Sequence, residues 1–267
     1  MVKGLYTAHT GMVKEMKRLD ILANNLANAD TTAYKKEGTT SRTFADEMSL
    51  RLKDSSNSYL PKKLGEITYG VHLGQVYTDY DSGSFKVTDN TTDFAIDGKG
   101  FFAIAFTDKS GNTSVKYTRD GSFTVNTEGY LVTKDGDYVL NATGAMNGDP
   151  DPRNRIQVDP NATISVNKLG YIMQNDQIVG TLGMVDIDNY DYLEKYGENM
   201  YNLLDGGNRI ATDANVEQGV LETSNVNVIK EMVNMITIQR AYEAGQKVIT
   251  SIDSTLDRAV NNVGRVQ

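Results

Sequence analysis

The chain has 267 residues, 39% of them hydrophobic and 23% charged. That is enough apolar material for one large domain or two small ones, and it excludes a chain disordered throughout. A formal net charge of −8 and a pI near 4.9 argue against nucleic acid or an anionic membrane as the main partner, and the absence of cysteine excludes disulfides, thiol catalysis and thiolate metal sites.

The first predicted element is a helix from about Leu5 to Asn28. Leu5, Met12, Leu19 and Leu26 recur every seventh residue, with Ala8 and Leu22 between them, the narrow apolar seam of a coiled coil. Asp30-Thr31-Thr32 ends it, because short polar side chains compete for backbone groups. The opening MVKGLYTAHTGMVKEMKRLD lacks the uninterrupted apolar core of a secretory signal, and no run approaches the roughly 20 apolar residues of a membrane span. Membrane insertion is therefore not expected, and any export is expected to proceed without a cleavable signal.

Residues 34–66 read as a linker or extended segment, with Phe44 to Leu52 admitting a short helix. From Ile67 to Ile210 the pattern becomes strand-like. Asp93 to Phe106 reads as two strands around a turn at Asp97-Gly98-Lys99-Gly100, with Phe102, Ile104 and Phe106 on one face. Tyr117-Thr-Arg-Asp-Gly-Ser-Phe123, Asn126-Thr-Glu-Gly129 and Lys134-Asp-Gly-Asp137 predict consecutive hairpins. Gly144 to Pro160 reads as a loop, and strands resume at Ala162–Val166 and Gln177–Ile187. Short strands in close order indicate an antiparallel domain without βαβ units.

The last predicted element is a helix over Val228 to Val263, uninterrupted by proline. Val228, Met235, Tyr242, Ile249, Leu256 and Val263 form a sevenfold series, with Ile238, Gly245, Ile252 and Ala259 three residues on, and Thr223 to Asn227 offers its N-caps. The expected architecture is α+β: an N-terminal helix (1–33), the linker (34–66), a central all-β domain (67–210) and a C-terminal helix (211–267), with the two helices paired as an antiparallel stem. Each helix buries one stripe, and Met12, Met16, Met232 and Met235 add adaptable surface, so the stem is satisfied only among copies of itself.

Little in the chain suggests chemistry. His9 and His72 lie far apart in sequence and read as unpartnered. Asp149, Asp151 and Asn154 lack the spacing of a calcium loop, Asp97 to Gly100 is too short for a phosphate loop, and Asp186 and Asp188 read as surface charge. No catalytic, cofactor or metal site is expected.

Ala23-Asn-Asn-Leu-Ala-Asn-Ala-Asp-Thr-Thr-Ala-Tyr-Lys35 resembles the N-terminal signature of the bacterial flagellar rod and hook axial proteins. Gly219-Val-Leu-Glu-Thr-Ser-Asn-Val-Asn-Val228, with Glu231-Met-Val-Asn-Met-Ile236 and Gln239-Arg-Ala-Tyr-Glu243, is similar to their C-terminal signature. Phe94 to Phe102 and Tyr117 to Phe123 resemble their shared β module. The run Leu221 to Val228 most resembles distal-rod members, with proximal-rod members second, although residues 34–70 are shorter than the usual distal-rod insertion.

The resemblance implies a non-enzymatic subunit of the basal-body rod. It polymerises with itself into a tubular driveshaft that carries torque to the hook and passes later export substrates. Expected partners are adjacent rod and hook proteins, the type III export apparatus and ring bushing proteins; the expected place is extracytoplasmic. Under that reading Asn24, Asn25 and Asn28 flank the seam as register-fixing contacts between subunits. The competing expectation is an extracytoplasmic binding or cell-wall-acting module whose terminal helices dimerise.

Overall fold

The computed structural model describes residues 2–45, 47–51 and 62–263. In chain order the elements are α1 (Val2–Ala27), β1 (Glu37–Thr43), β2 (Glu47–Arg51), β3 (Lys62–Ile67), β4 (Val71–Thr78), β5 (Phe85–Val87), β6 (Phe94–Asp97), β7 (Phe101–Thr107), β8 (Thr113–Thr118), β9 (Thr124–Val125), β10 (Leu131–Val132), β11 (Tyr138–Val139), α2 (Ala142–Asn147), β12 (Ser165–Val166), β13 (Tyr171–Gln174), β14 (Gln177–Thr181), β15 (Met184–Ile187), β16 (Leu193–Tyr196), β17 (Met200–Leu203), β18 (Arg209–Ile210), β19 (Asn215–Gln218), β20 (Val220–Glu222) and α3 (Val228–Val263). They fall into two compact units, one of Met1–Ala27, Glu37–Asp79 and Asn227–Gln267, the other of Asn28–Lys36 and Tyr80–Val226.

In the first unit α1 and α3 pack together as predicted. Gly4 faces Ile252 and Gly245 faces Met12, so numbers rise along one helix as they fall along the other: the pair is antiparallel. The approach is close at Gly245, where a Cβ would lie 2.7 Å from Met12 Cγ. The 36 residues of α3 span about 54 Å. Its N-cap is Asn227, whose Oδ1 accepts the Lys230 N–H at 3.0 Å. Glu231 is buried in the first turn, where the helix dipole favours a carboxylate.

The segment expected as a linker carries strands. β1 pairs antiparallel with β4, and β2 with β3, each with a register shift along its length. The short helix considered for Phe44 to Leu52 is corrected: Glu47–Arg51 is a strand, and Leu52 lies outside the described residues. Polar Glu, Ser and Arg alternate there with Met48 and Leu50, a twofold period that outweighs helix propensity.

The second unit is antiparallel throughout its named pairs, in agreement with the α+β expectation. Its main sheet runs β16-β17-β8-β7-β11-β10-β9, with β15 on the free side of part of β7 and β18 on β15. Strand β7 is buried on both faces. Phe102 and Ile104 enter one core with Phe94, Phe123, Leu131 and Val216, whereas Phe101, Ala103 and Ala105 enter another with Tyr117, Val185 and Tyr201. The predicted alternation of Phe102 and Ile104 is therefore one half of a two-sided strand.

Three local expectations change. Asp97 to Gly100 is no hairpin turn: β6 pairs with β19, and β7 with β8, β11 and β15. Arg119 to Ser122 likewise leads out of the β7–β8 ladder, whereas β9–β10 and β10–β11 are true hairpins. The loop from Gly144 begins inside a short helix, α2, because Asn141 Oδ1 accepts the Gly144 N–H at 2.8 Å and caps it.

A buried phenol, Tyr117, and a half-buried one, Tyr190, tie this unit to pH. Burial raises Tyr117 above the ordinary tyrosine value of 10.0, opposed by Arg209; burial, followed by the hydrogen bond to Asp186, raises Tyr190 well above it. A phenol titrating higher in the fold than in the unfolded chain contributes stability that is present below its unfolded value and is lost as pH rises through its folded value. The urea midpoint of the β unit is therefore expected to hold at neutral pH and fall under strongly alkaline conditions, less steeply in Tyr190→Phe. Circular dichroism across that range checks it; equal steepness in the variant would exclude Tyr190 as a contributor.

Candidate assembly surface

The helix pair leaves much of its apolar surface uncovered. Among the described residues, Leu22 and Ile238 are the only apolar side chains of α1 and α3 that are buried. Leu5, Met12, Leu19, Leu26, Met235, Ile249 and Ile252 are half-buried, and Val228, Tyr242 and Leu256 are exposed. The side chain of Val263 lies outside the described residues.

The asparagines divide. Asn25 is fully buried and bonds one residue twice: its Nδ2 donates to the Glu37 carbonyl at 2.8 Å and its Oδ1 accepts the Glu37 N–H at 3.0 Å. It serves inside its own unit, so the contact between subunits expected of it is corrected. Asn28 accepts from the Thr31 hydroxyl at 3.2 Å, and Asn24 is exposed on α1.

A second stripe on α3 escaped the sequence reading. Ile229, Met232, Val233 and Ile236 are exposed by 73, 44, 58 and 50% and lie on the face opposite Met235 and Ile238. Their spacing of three, one and three residues is itself a helical signal, but a shorter one than the sevenfold seam that repeats along the other face. Farther along, the Gly4–Ile252 register puts Val2 beside about Ser254. Beyond that point α3 continues the seam without α1, and Leu256 and Val260 are exposed by 41 and 70%.

His9 and His72, read as unpartnered, line one cleft of about 240 Å³ with Lys14, Lys17, Phe44 and Leu73. The Phe44 and His72 rings are 4.8 Å apart. Among the described residues no group of three or more His, Cys, Asp or Glu is placed to hold a metal.

In the second unit, the two signature segments meet on a buried carboxylate. Glu222 accepts from Lys35 Nζ at 2.6 Å, from the Gly83 N–H at 2.9 Å and from Arg119 Nη1 at 3.3 Å. All three side chains are almost completely buried. Arg119 also donates to the Ile96 and Gly98 carbonyls, and Lys35 to that of Asp81. Only glycine fits at position 83, where a Cβ would lie 1.9 Å from the Thr223 carbonyl oxygen. The Ala33 N–H donates to the Glu222 carbonyl and the Lys36 N–H to Asn225 Oδ1, so residues 33–36 run beside 222–225. Thr32 adds a bond to Asp120, itself bonded by Ser122. Sequence reading named these stretches as motifs; the ion cluster joining them across 187 residues was not legible.

A long helix pair with bare apolar stripes, and a β unit with its own cores, are the features of a structural subunit whose helices are completed by neighbours. Comparison with known proteins agrees. Residues 5–35 match the flagella basal body rod protein model, 95–174 the flagellar hook protein FlgE/F/G D1 domain, and 217–262 the flagellar basal body rod FlgEFG protein C-terminal model. The chain is 33% identical to the flagellar basal-body rod protein FlgF of Caulobacter vibrioides, covering all of both chains. It is also 33% identical to FlgG of Buchnera aphidicola subsp. Schizaphis graminum over 97% of this chain and 98% of that protein, and 31% to FlgG of Bacillus subtilis over 98% and 99%. The chain belongs to the flagellar basal-body rod protein family and is a structural rod subunit.

Two substitutions test the interior of this arrangement. Glu222→Gln strands buried cations and is expected to cost the second unit about 3–5 kcal/mol, read by urea unfolding followed through tyrosine fluorescence, since the chain has no tryptophan. Asn25→Leu removes both of these hydrogen bonds to the Glu37 backbone, at a cost of about 1–3 kcal/mol. It should speed hydrogen exchange at the Glu37 amide, and unchanged exchange would show that the amide pair does not hold β1.

Proposed function

We propose that copies of this chain polymerise through the bare stripes of α1 and α3 into the tubular rod, which carries motor torque to the hook and passes later export substrates. The observation that carries this reading is the half-buried seam: a helix pair with two buried apolar side chains among the described residues is incomplete alone, whereas the β unit has cores of its own. Adjacent rod and hook proteins, the type III export apparatus and ring bushing proteins are the proposed partners. The Leu221–Val228 run favours a distal position in the rod. The proposed place is extracytoplasmic, reached without signal cleavage; no described helix is long and apolar enough to cross a membrane.

Concentrated protein should form sedimentable tubes visible by electron microscopy. In dilute solution, proteolysis should trim both helices and spare residues 80–226. Leu256→Asp, at an exposed seam position, should abolish sedimentation with helix content retained, whereas Ile249→Asp should also loosen the helix pair, because a carboxylate would enter a half-buried seam. Wild-type protein that stays monomeric at every concentration, with both helices protease-resistant, would refute the reading.

A further inference from the structure

The two bare patches of α3 differ in position and chemistry. The root patch, Ile229, Met232, Val233 and Ile236, lies in the first turns. Arg240, Glu243 and Lys247 extend it along the same face and Lys230 borders it, three cations against one carboxylate. The tip patch, Leu256 and Val260, lies where α1 has ended, and at 100° per residue Asp253 and Asp257 border it along one side. The Asp257 carboxylate is held in place by the Asn261 amide at 2.7 Å. One patch is apolar with a basic border, the other apolar with an acidic border.

We infer that the tip patch of one copy docks on the root patch of a second copy. This rests on the polymerisation proposed above and specifies its contact. Ile236 and Leu256 lie on one helix about 30 Å apart, at roughly 1.5 Å per residue, so neither patch can reach the other within its own chain. Pairing each patch with itself would put like charges together and would close at a dimer. Pairing tip with root brings Asp253 and Asp257 toward Arg240 and Lys230, and leaves a free tip at one end of the growing assembly and a free root at the other. A contact between unlike patches therefore propagates without further instruction.

The test uses the full chain in two variants, Ile236→Asp at the root and Val260→Asp at the tip. Both positions are at least half exposed, and circular dichroism should show wild-type helix content. Alone, each variant should remain monomeric where the wild type forms tubes. Mixed in equal amounts, they should form one-to-one dimers by sedimentation velocity, because one intact tip meets one intact root, and should grow no further. Arg240→Glu should raise the critical concentration at least about tenfold, and adding Asp257→Lys should restore most of it. A mixture that remains monomeric, or a double charge variant no better than the single, would overturn tip-to-root docking while leaving polymerisation intact. A wild type that never polymerises would instead overturn the reading beneath it.

Discussion

The fold turns on one buried carboxylate. Glu222 stands just before the long C-terminal helix, Lys35 just after the N-terminal one, and Arg119 in the sheet between them. Buried charge is tolerated only when its hydrogen bonds are complete, and here a lysine, an arginine and a backbone N–H complete them. The cluster therefore makes the chain segments on either side of the β unit part of that unit. Neighbouring backbone bonds, from Ala33 to Glu222 and from Lys36 to Asn225, run in the same direction. Two chain segments 187 positions apart are held side by side by chemistry that belongs to neither helix.

This separates two tasks. The β unit satisfies itself: β7 is buried on both faces, with aromatic side chains in each core. The helices do not, because a two-helix layer has no third element to cover its remaining faces. Partial burial of Leu5, Met12, Ile249 and Ile252 is what a subunit needs if its last layer is to come from other molecules. A fully packed stem would have removed the reason to assemble.

What was readable in the sequence followed physical range. The seams of α1 and α3 and their antiparallel pairing were legible, because helical periodicity is a local signal repeated many times. Hairpins at Asn126 to Gly129 and Lys134 to Asp137 were legible from turn chemistry. Asp97 to Gly100 misled, since glycines permit a sharp bend without saying which strands pair across it. The β1–β4 and β2–β3 pairs were missed because β1, EGTTSRT, has no apolar residue to show an alternation and because each pairing joins segments separated in sequence. On the helices the seam periodicity was legible, but the root stripe was not, because its four residues span only about two turns and give a weaker signal than a repeat carried along the whole helix. Asn25 was misread because its partner is a backbone group twelve residues away.

The pair of hydrogen bonds between Asn25 and Glu37 has a mechanical meaning. A single hydrogen bond is a pivot, about which the joined parts can swing. Two hydrogen bonds to one residue, on the N–H and C=O of successive peptide groups, form a coupling that resists rotation better than one. Since Glu37 is also the first residue of a paired strand, twist applied to the end of α1 passes into that ribbon without slack, as a shaft subjected to continuous rotation requires of its joints.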